Sequence, residues 1–341
     1  MEQTTHKQYA WKFIVLAGVF LVVLFGSALL GRFNLTPHQL FSLLRSQFQA
    51  VESCWPAGSE NVLFEIRLPR IAAAALVGAS LALAGVAYQG MFRNPMVSPD
   101  ILGASTGAGF GAALAILCGA GYFAISATSF FFGLVAVFAA YLVSRLSRTN
   151  PTVAMILAGI MVSSLFSAGT SYMKLVADTQ QQLPAITYWL MGSLSSIKVR
   201  DVQFLCIPFV VGFLPLCILC WRMNLLTVGD EEARAMGVNT TRLRLIVVIC
   251  ATLLTASSVA VSGMIGWVGL VIPHFCRMIF GYDYRRLVPA SALFGAAFLI
   301  VVDDVARLAT SSEIPLGILT AFVGAPIFIY LVLTGGGNRA D

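Results

Sequence analysis

The chain has 341 residues, 58% of them hydrophobic and 11% charged, with a net charge of +6. Soluble domains carry about 25% charged residues, so this composition leaves too little polar side chain to cover a water-facing surface. The apolar runs recur from end to end, which points to one continuous membrane domain over 1–341 and away from a soluble enzyme or a nucleic-acid binder.

A membrane helix needs about 20 largely apolar residues. The first candidate covers 13–31, preceded by Lys7 and Lys12. Its apolar stretch is too long for a signal peptide and no small-residue cleavage site follows, so it reads as a retained first span. Further spans are expected at 66–90, 97–118, 122–144, 152–176, 202–221, 242–262, 267–281, 286–308 and 314–334. The expectation is therefore an all-α, polytopic integral membrane protein with about ten transmembrane helices. The 267–281 segment is short and is compatible with a partly re-entrant path, which is tolerated where protein surrounds it.

With an even number of spans both termini share a side. That side holds thirteen of the 21 Lys and Arg residues, against eight on the other. The excess places both termini in the cytoplasm. Arg67, Arg70 and Arg307 fall on the poorer, outer side and dilute the bias. Asp303 and Asp304 precede Arg307 by four and three residues, a spacing that puts them on one helical face and predicts local pairing. Small residues such as Gly78, Gly85, Gly103 and Gly107 crowd the second and third spans, as close helix packing in lipid requires.

Several chemistries are missing. There is no phosphate loop of the G-x-x-x-x-G-K-[ST] type, so the chain itself should not bind ATP by that device. No nucleophile–base set and no metal-ligand cluster stands out, which argues against an enzyme. Cys217 and Cys220 have C-x-x-C spacing but no second Cys or His pair, and read as small apolar residues one turn apart. No resident cofactor or metal is expected.

The cytoplasmic segment 222–241 is the most polar stretch. Asp230 is placed to cap a short helix with an acidic first turn, and Gly237 to end it. Gly229, Glu231, Glu232, Ala233, Met236, Gly237 and Val238 form its core. An acidic start is unfavourable against an anionic membrane surface, so docking to a cytoplasmic partner is the better reading.

Four ordered signatures extend over roughly 60–334: Arg67-Leu68-Pro69-Arg70 followed by Gly78-Ala79, Gly85, Gln89, Asn94-Pro95 and Gly103; Glu232 to Val238; Gly263 to His274; and Asp304-Val305-Ala306-Arg307 followed by Glu313 to Gly317 and Gly324 to Phe328. Together they resemble the FecCD-type permeases of ABC importers, which carry vitamin B12, iron-siderophore complexes or haem. Met264, Trp267 and Met96 depart from common family residues without removing a polar group.

The resemblance implies a type II ABC importer permease fold and a homodimer with the substrate path at its axis. It further implies two cytoplasmic ATPase subunits that bind ATP and Mg, an extracytoplasmic substrate-binding protein, and residence in the cytoplasmic membrane. It assigns 229–238 to ATPase coupling and Arg67, Arg70 and Arg307 to docking of the binding protein, as basic patches around the pore entrance. By the same resemblance Asn94, Pro95 and Met96, with Asn150, Pro151 and Thr152, lie near a cytoplasmic gate. An iron chelate is the expected cargo. Cobalamin or molybdate and tungstate are the alternatives, and a stand-alone secondary transporter is the reading from another class.

Overall fold

The computed structural model describes residues 2–31, 35–47, 49, 55–147 and 151–335. Among these residues all regular structure is helical. The thirteen helices are α1 (Glu2–Leu29), α2 (Pro37–Ser46), α3 (Ser59–Met91), α4 (Ala104–Leu117), α5 (Tyr122–Leu146), α6 (Pro151–Val176), α7 (Gln182–Met191), α8 (Val199–Val228), α9 (Asp230–Ala235), α10 (Thr240–Ser262), α11 (Val268–Phe280), α12 (Tyr284–Leu308) and α13 (Leu316–Gly335).

Seven of them, α1, α3, α5, α6, α8, α10 and α12, are long and apolar enough to cross a membrane, while α4, α11 and α13 are shorter apolar helices. These helices occupy the ten ranges read from the sequence. Two details differ from that reading. The third range starts with a 3-10 turn, Pro99–Leu102, and its α-helix begins only at Ala104. Two further helices were not anticipated. One is α2, started by a capping box in which the Thr36 hydroxyl accepts from the Gln39 amide and the Gln39 side chain accepts from the Thr36 amide. The other is α7, which ends at Gly192.

Helix α3 is the centre of the bundle and packs against α8, α10, α11 and α12. Its sequence explains why. A Cβ at Gly85 would overlap the carbonyl of Gly269 on α11, and one at Gly78 would overlap the carbonyl of Gly295 on α12. Only glycine lets these backbones touch, and van der Waals contact between backbones drives helix association where lipid is the solvent. Gln89, near the end of α3, donates from its amide to the carbonyls of Val97 and Gly269, both at 3.2 Å. One side chain thereby ties three segments together.

Early in α3 lies a π-helical stretch, Val62–Arg67. The wider turn changes the angular spacing of side chains, and such stretches often mark functional positions. Cys217 and Cys220 lie one turn apart on α8, where the Cys220 thiol donates to the Leu216 carbonyl. Among the described residues no cluster of three metal-ligating side chains occurs.

Candidate functional site

Four places combine polar chemistry with special backbone. The first gathers the three arginines. Arg67, Arg70 and Arg307 line one cleft of about 200 Å³ together with Gly31, Ile66 and Glu313. Arg70 donates from Nε and Nη2 to Asp303 at 2.9–3.1 Å, and from Nη1 and Nη2 to Glu313 at 2.9 and 3.0 Å. Arg307 donates from Nε to Asp304 at 3.1 Å and from Nη2 to the Ser27 carbonyl at 2.8 Å. Ser27 donates in turn to Asp304 at 2.7 Å. Arg67 donates to the carbonyls of Ala28 and Leu29 at the end of α1.

This geometry corrects two expectations. The arginines are not exposed basic patches: they are 3%, 7% and 8% exposed, and three carboxylates sit among them. The physical reason is that a guanidinium held among apolar helix ends is costly without carboxylate or carbonyl acceptors. Nor does Asp303 pair with Arg307 on its own helix. It faces Arg70 on α3, and only Asp304 takes the local i,i+3 partner.

The second place is α9. Its cap is Gly229, not Asp230, and the cap makes no side-chain bond. Asp230 is the first helical residue, and its carboxylate accepts from Arg244 of α10 at 2.8 and 3.0 Å. The helix ends as anticipated at Gly237, which has φ +80°. Val238 N–H donates to the Ala233 carbonyl and Gly237 N–H to the Arg234 carbonyl, the paired bonds of a Schellman ending. Asn239 then caps α10 through the Arg242 amide. Ala233 and Val238 are buried against the bundle, while Glu231, Glu232 and Met236 face outward.

The third place joins α9 to the start of α6. Arg244 donates from Nη2 to Asp230 and from Nη1 to the Thr152 hydroxyl at 2.7 Å. Sequence reasoning treated Arg244 only as one more inner positive charge. Its signal was a basic residue one turn into a helix, opposite the acidic turn of α9. Asn150 lies outside the described residues, and Pro151 opens α6. Asn94 and Pro95 form a turn after α3, in which the Asn94 side chain accepts from the Met96 amide at 2.9 Å. Met96 is half exposed there. The Asn94 side chain bonds within its own turn, whereas the Thr152 hydroxyl accepts from Arg244.

The fourth place is a cavity of about 740 Å³, lined among others by Asp100, Ser105, Met191, Met264, Trp267 and Phe322. Trp267 has φ +69°, a left-handed conformation that is strained for a bulky residue. A Cβ at Gly324 would overlap its indole, so glycine on α13 makes room for the ring. The Ser105 hydroxyl donates to Asp100.

The FecCD transport family matches residues 19–334. The chain belongs to the FecCD transport family. A FecCD relative, the molybdate import system permease protein MolB of Haemophilus influenzae, is 40% identical over 91% of this chain and 92% of its own length. An iron chelatin transport system permease protein of Helicobacter pylori is 41% identical over 80% of this chain and 82% of its own. A solved metal-chelate type ABC transporter, in an inward-facing conformation, superposes with a TM-score of 0.84 at 38% identity, covering 94% of this chain and 98% of that one. This FecCD chain thus has the all-α, type II ABC importer permease fold and is a multi-pass membrane transport subunit. Its signatures touch all four places: Arg67, Arg70 and Arg307 lie in the arginine cleft, Glu232 to Val238 on and after α9, Asn94 and Pro95 in the turn of the third place, and Met264 to Trp267 with Gly317, Ala325 and Pro326 along the cavity.

Proposed function

We propose that this chain is the membrane-spanning subunit of an ATP-driven importer for an iron chelate, working as a homodimer in the cytoplasmic membrane with both termini inside. The observation that supports it best is the match over nearly the whole chain to a metal-chelate type transporter. Helix α9, with Glu231, Glu232 and Met236 facing outward, is the surface on which each of two ATPase subunits, carrying ATP and Mg, would dock. Through Arg244 that surface is mechanically continuous with the start of α6. Cargo would arrive on a binding protein seated over the arginine cleft, and the segments at 94–96 and 150–152 would close the inner mouth.

The test is uptake of a radiolabelled ferric chelate by proteoliposomes holding the permease, its ATPase and its binding protein. Uptake is expected only with all three chains and ATP. ATP-driven uptake of cobalamin or molybdate but not iron would assign the other cargo. Uptake driven by an ion gradient without the ATPase would instead identify a secondary transporter.

A further inference from the structure

Helix α1 is the least buried of the seven long spans and packs mainly on α12. The start of its apolar stretch, Tyr9–Leu29, is nonetheless pinned to the turn between α11 and α12. Lys12 donates from Nζ to the Ile279 carbonyl at 2.6 Å, and the rings of Phe13 and Phe280 meet with centroids 4.7 Å apart. The Arg286 guanidinium lies over the Tyr9 ring, 3.7 Å from its centroid, and the Lys12 ammonium is 5.1 Å from the same ring. Two cations thus share one ring. Among the described residues neither is within ion-pair distance of a carboxylate, and the Arg286 side chain makes no hydrogen bond. The acid beside them in sequence, Asp283, is engaged through Oδ1 by the Asn224 amide and the Arg285 backbone. A ring face attracts a cation but carries no net charge to cancel it. Trp11 and Tyr282, which flank the group in sequence, are exposed, as rings at the level of lipid headgroups are.

We propose that Tyr9, Lys12 and Arg286 form a binding site for the phosphodiester of an anionic phospholipid, which bridges α1 to the turn between α11 and α12. The Tyr9 ring and the Ile279 carbonyl hold the two cations in place before any ligand arrives. Stacking occupies the face of the guanidinium and leaves its N–H edge, which can donate two parallel bonds to phosphate oxygens. The ammonium keeps further donors beyond the one given to Ile279. A zwitterionic lipid offers the same phosphodiester together with an ammonium of its own, so two cations without a carboxylate favour the lipid that brings net negative charge. Met278 and Ile279 are exposed at the end of α11 and supply apolar surface for the acyl chains. Depth separates this surface from α9: it opens an apolar span, where lipid is the solvent, whereas α9 begins with three acidic residues. With the termini inside, the lipid belongs to the cytoplasmic leaflet. The contact is independent of what the importer carries.

The test titrates the delipidated full-length permease with dioleoyl phosphatidylglycerol or dioleoyl phosphatidylcholine and reads the first bound lipid by native mass spectrometry. Phosphatidylglycerol should bind about tenfold more tightly. The preference should fall to about twofold or less in the Lys12→Gln, Arg286→Gln double variant. It should survive in Arg145→Gln, Arg222→Gln, which removes the same charge from two exposed arginines elsewhere. Equal loss in the two double variants would mean diffuse attraction to basic residues and overturns the proposal, as does a preference that persists without Lys12 and Arg286. Should the first double variant fail to accumulate, Lys12→Gln alone, which keeps a donor for the Ile279 carbonyl, decides the matter by losing or retaining about half of the preference on a logarithmic scale. Displacement of phosphatidylglycerol by equimolar inorganic phosphate would show a free-phosphate site and not a lipid site. Binding of the ATPase subunit is measured in nanodiscs of phosphatidylcholine alone. Weaker binding by the Lys12→Gln, Arg286→Gln permease there would assign the surface to the ATPase instead. All of these readings are made without transport, so their failure leaves the importer standing, and absence of ATP-driven uptake leaves the lipid site standing.

Discussion

Arg70 and Asp303 stand 233 positions apart, yet they meet through three hydrogen bonds of 2.9–3.1 Å with the carboxylate side chain only 2% exposed. The pair clamps α3 to α12 and is shared with Glu313, whose side chain is 29% exposed. Removing one partner of a buried pair leaves an uncompensated charge, at about 3–5 kcal/mol. Asp303→Ala should therefore lower thermal stability in detergent sharply. Glu313→Gln should cost less than about 1 kcal/mol, because a partly exposed pair is worth little. Equal losses in the two variants would show that the clamp is not centred on Asp303.

At the opposite clamp, Asp283 ties α8 to α12. Its carboxylate accepts from the Asn224 amide at 2.7 Å and from the Arg285 backbone at 2.9 Å, while the Asn224 oxygen accepts from the Tyr284 amide at 2.9 Å. Burial alone would raise its pKa. The bonds from Asn224 and Arg285, with the charges of Arg286 and Arg285, outweigh this and hold it below the usual carboxylate range. A depressed folded value stabilises the protein above the unfolded pKa, about 3.9 for Asp, and the contribution is lost as pH falls through the folded value. Unfolding followed from pH 7 downward should show wild type and Asp283→Asn diverging at neutral pH and converging in acid. A constant difference across that range would contradict the assignment.

Coupling makes a sharper demand on backbone. Gly237 holds φ +80° with open space where a Cβ would sit, so the obstacle to a side chain there is conformational and not steric crowding. Gly237→Val forces a β-branched residue into the left-handed region, a strain of about 1–3 kcal/mol. Gly237→Asn tolerates that region far better. The valine variant should insert normally but lose most of the permease-dependent stimulation of ATPase activity, with the asparagine variant close to wild type. Arg244→Ala should also uncouple, since it severs α9 from Thr152 while leaving the Schellman ending of α9 intact. Full stimulation in Arg244→Ala would show that force reaches α6 by another route.

The ten long or apolar helices were legible because apolar runs of sufficient length carry their own signal. Helix α7 was not, since its ten residues fall short of a span. The Gly237 ending was readable from one residue type at one position. Asp230 was misassigned because an acidic residue before a short helix fits a cap equally well. Only the packing of α10 beside α9 shows that it answers Arg244 instead. The arginine cleft was half legible: Arg307 and Asp304 are neighbours in sequence, whereas the partnership of Arg70 with Asp303 and Glu313 is created entirely by the fold.

That partnership changes how docking at the cleft is to be tested. Three arginines and three carboxylates leave no excess positive charge for a binding protein to find. The carboxylate free to exchange is Glu313, because Asp303 and Asp304 have side chains only 2% and 12% exposed. A glutamate from the binding protein would replace it on Arg70, whose planar fork accepts two oxygens in parallel. Reversal of Arg70 to Glu is then a poor probe: it sets a carboxylate against Asp303 and should lower the amount of folded permease before docking is measured. Glu313→Gln is the informative change. It removes the internal competitor and leaves the cleft with one net positive charge. Association with immobilised binding protein should quicken by about two- to tenfold and become more sensitive to NaCl, since charges on the approaching surfaces act mainly on the association rate and are screened over about 8 Å at physiological ionic strength. An unchanged association rate and salt slope, with normal amounts of assembled permease, would show that Glu313 and the three arginines hold the helices together and do not receive the binding protein.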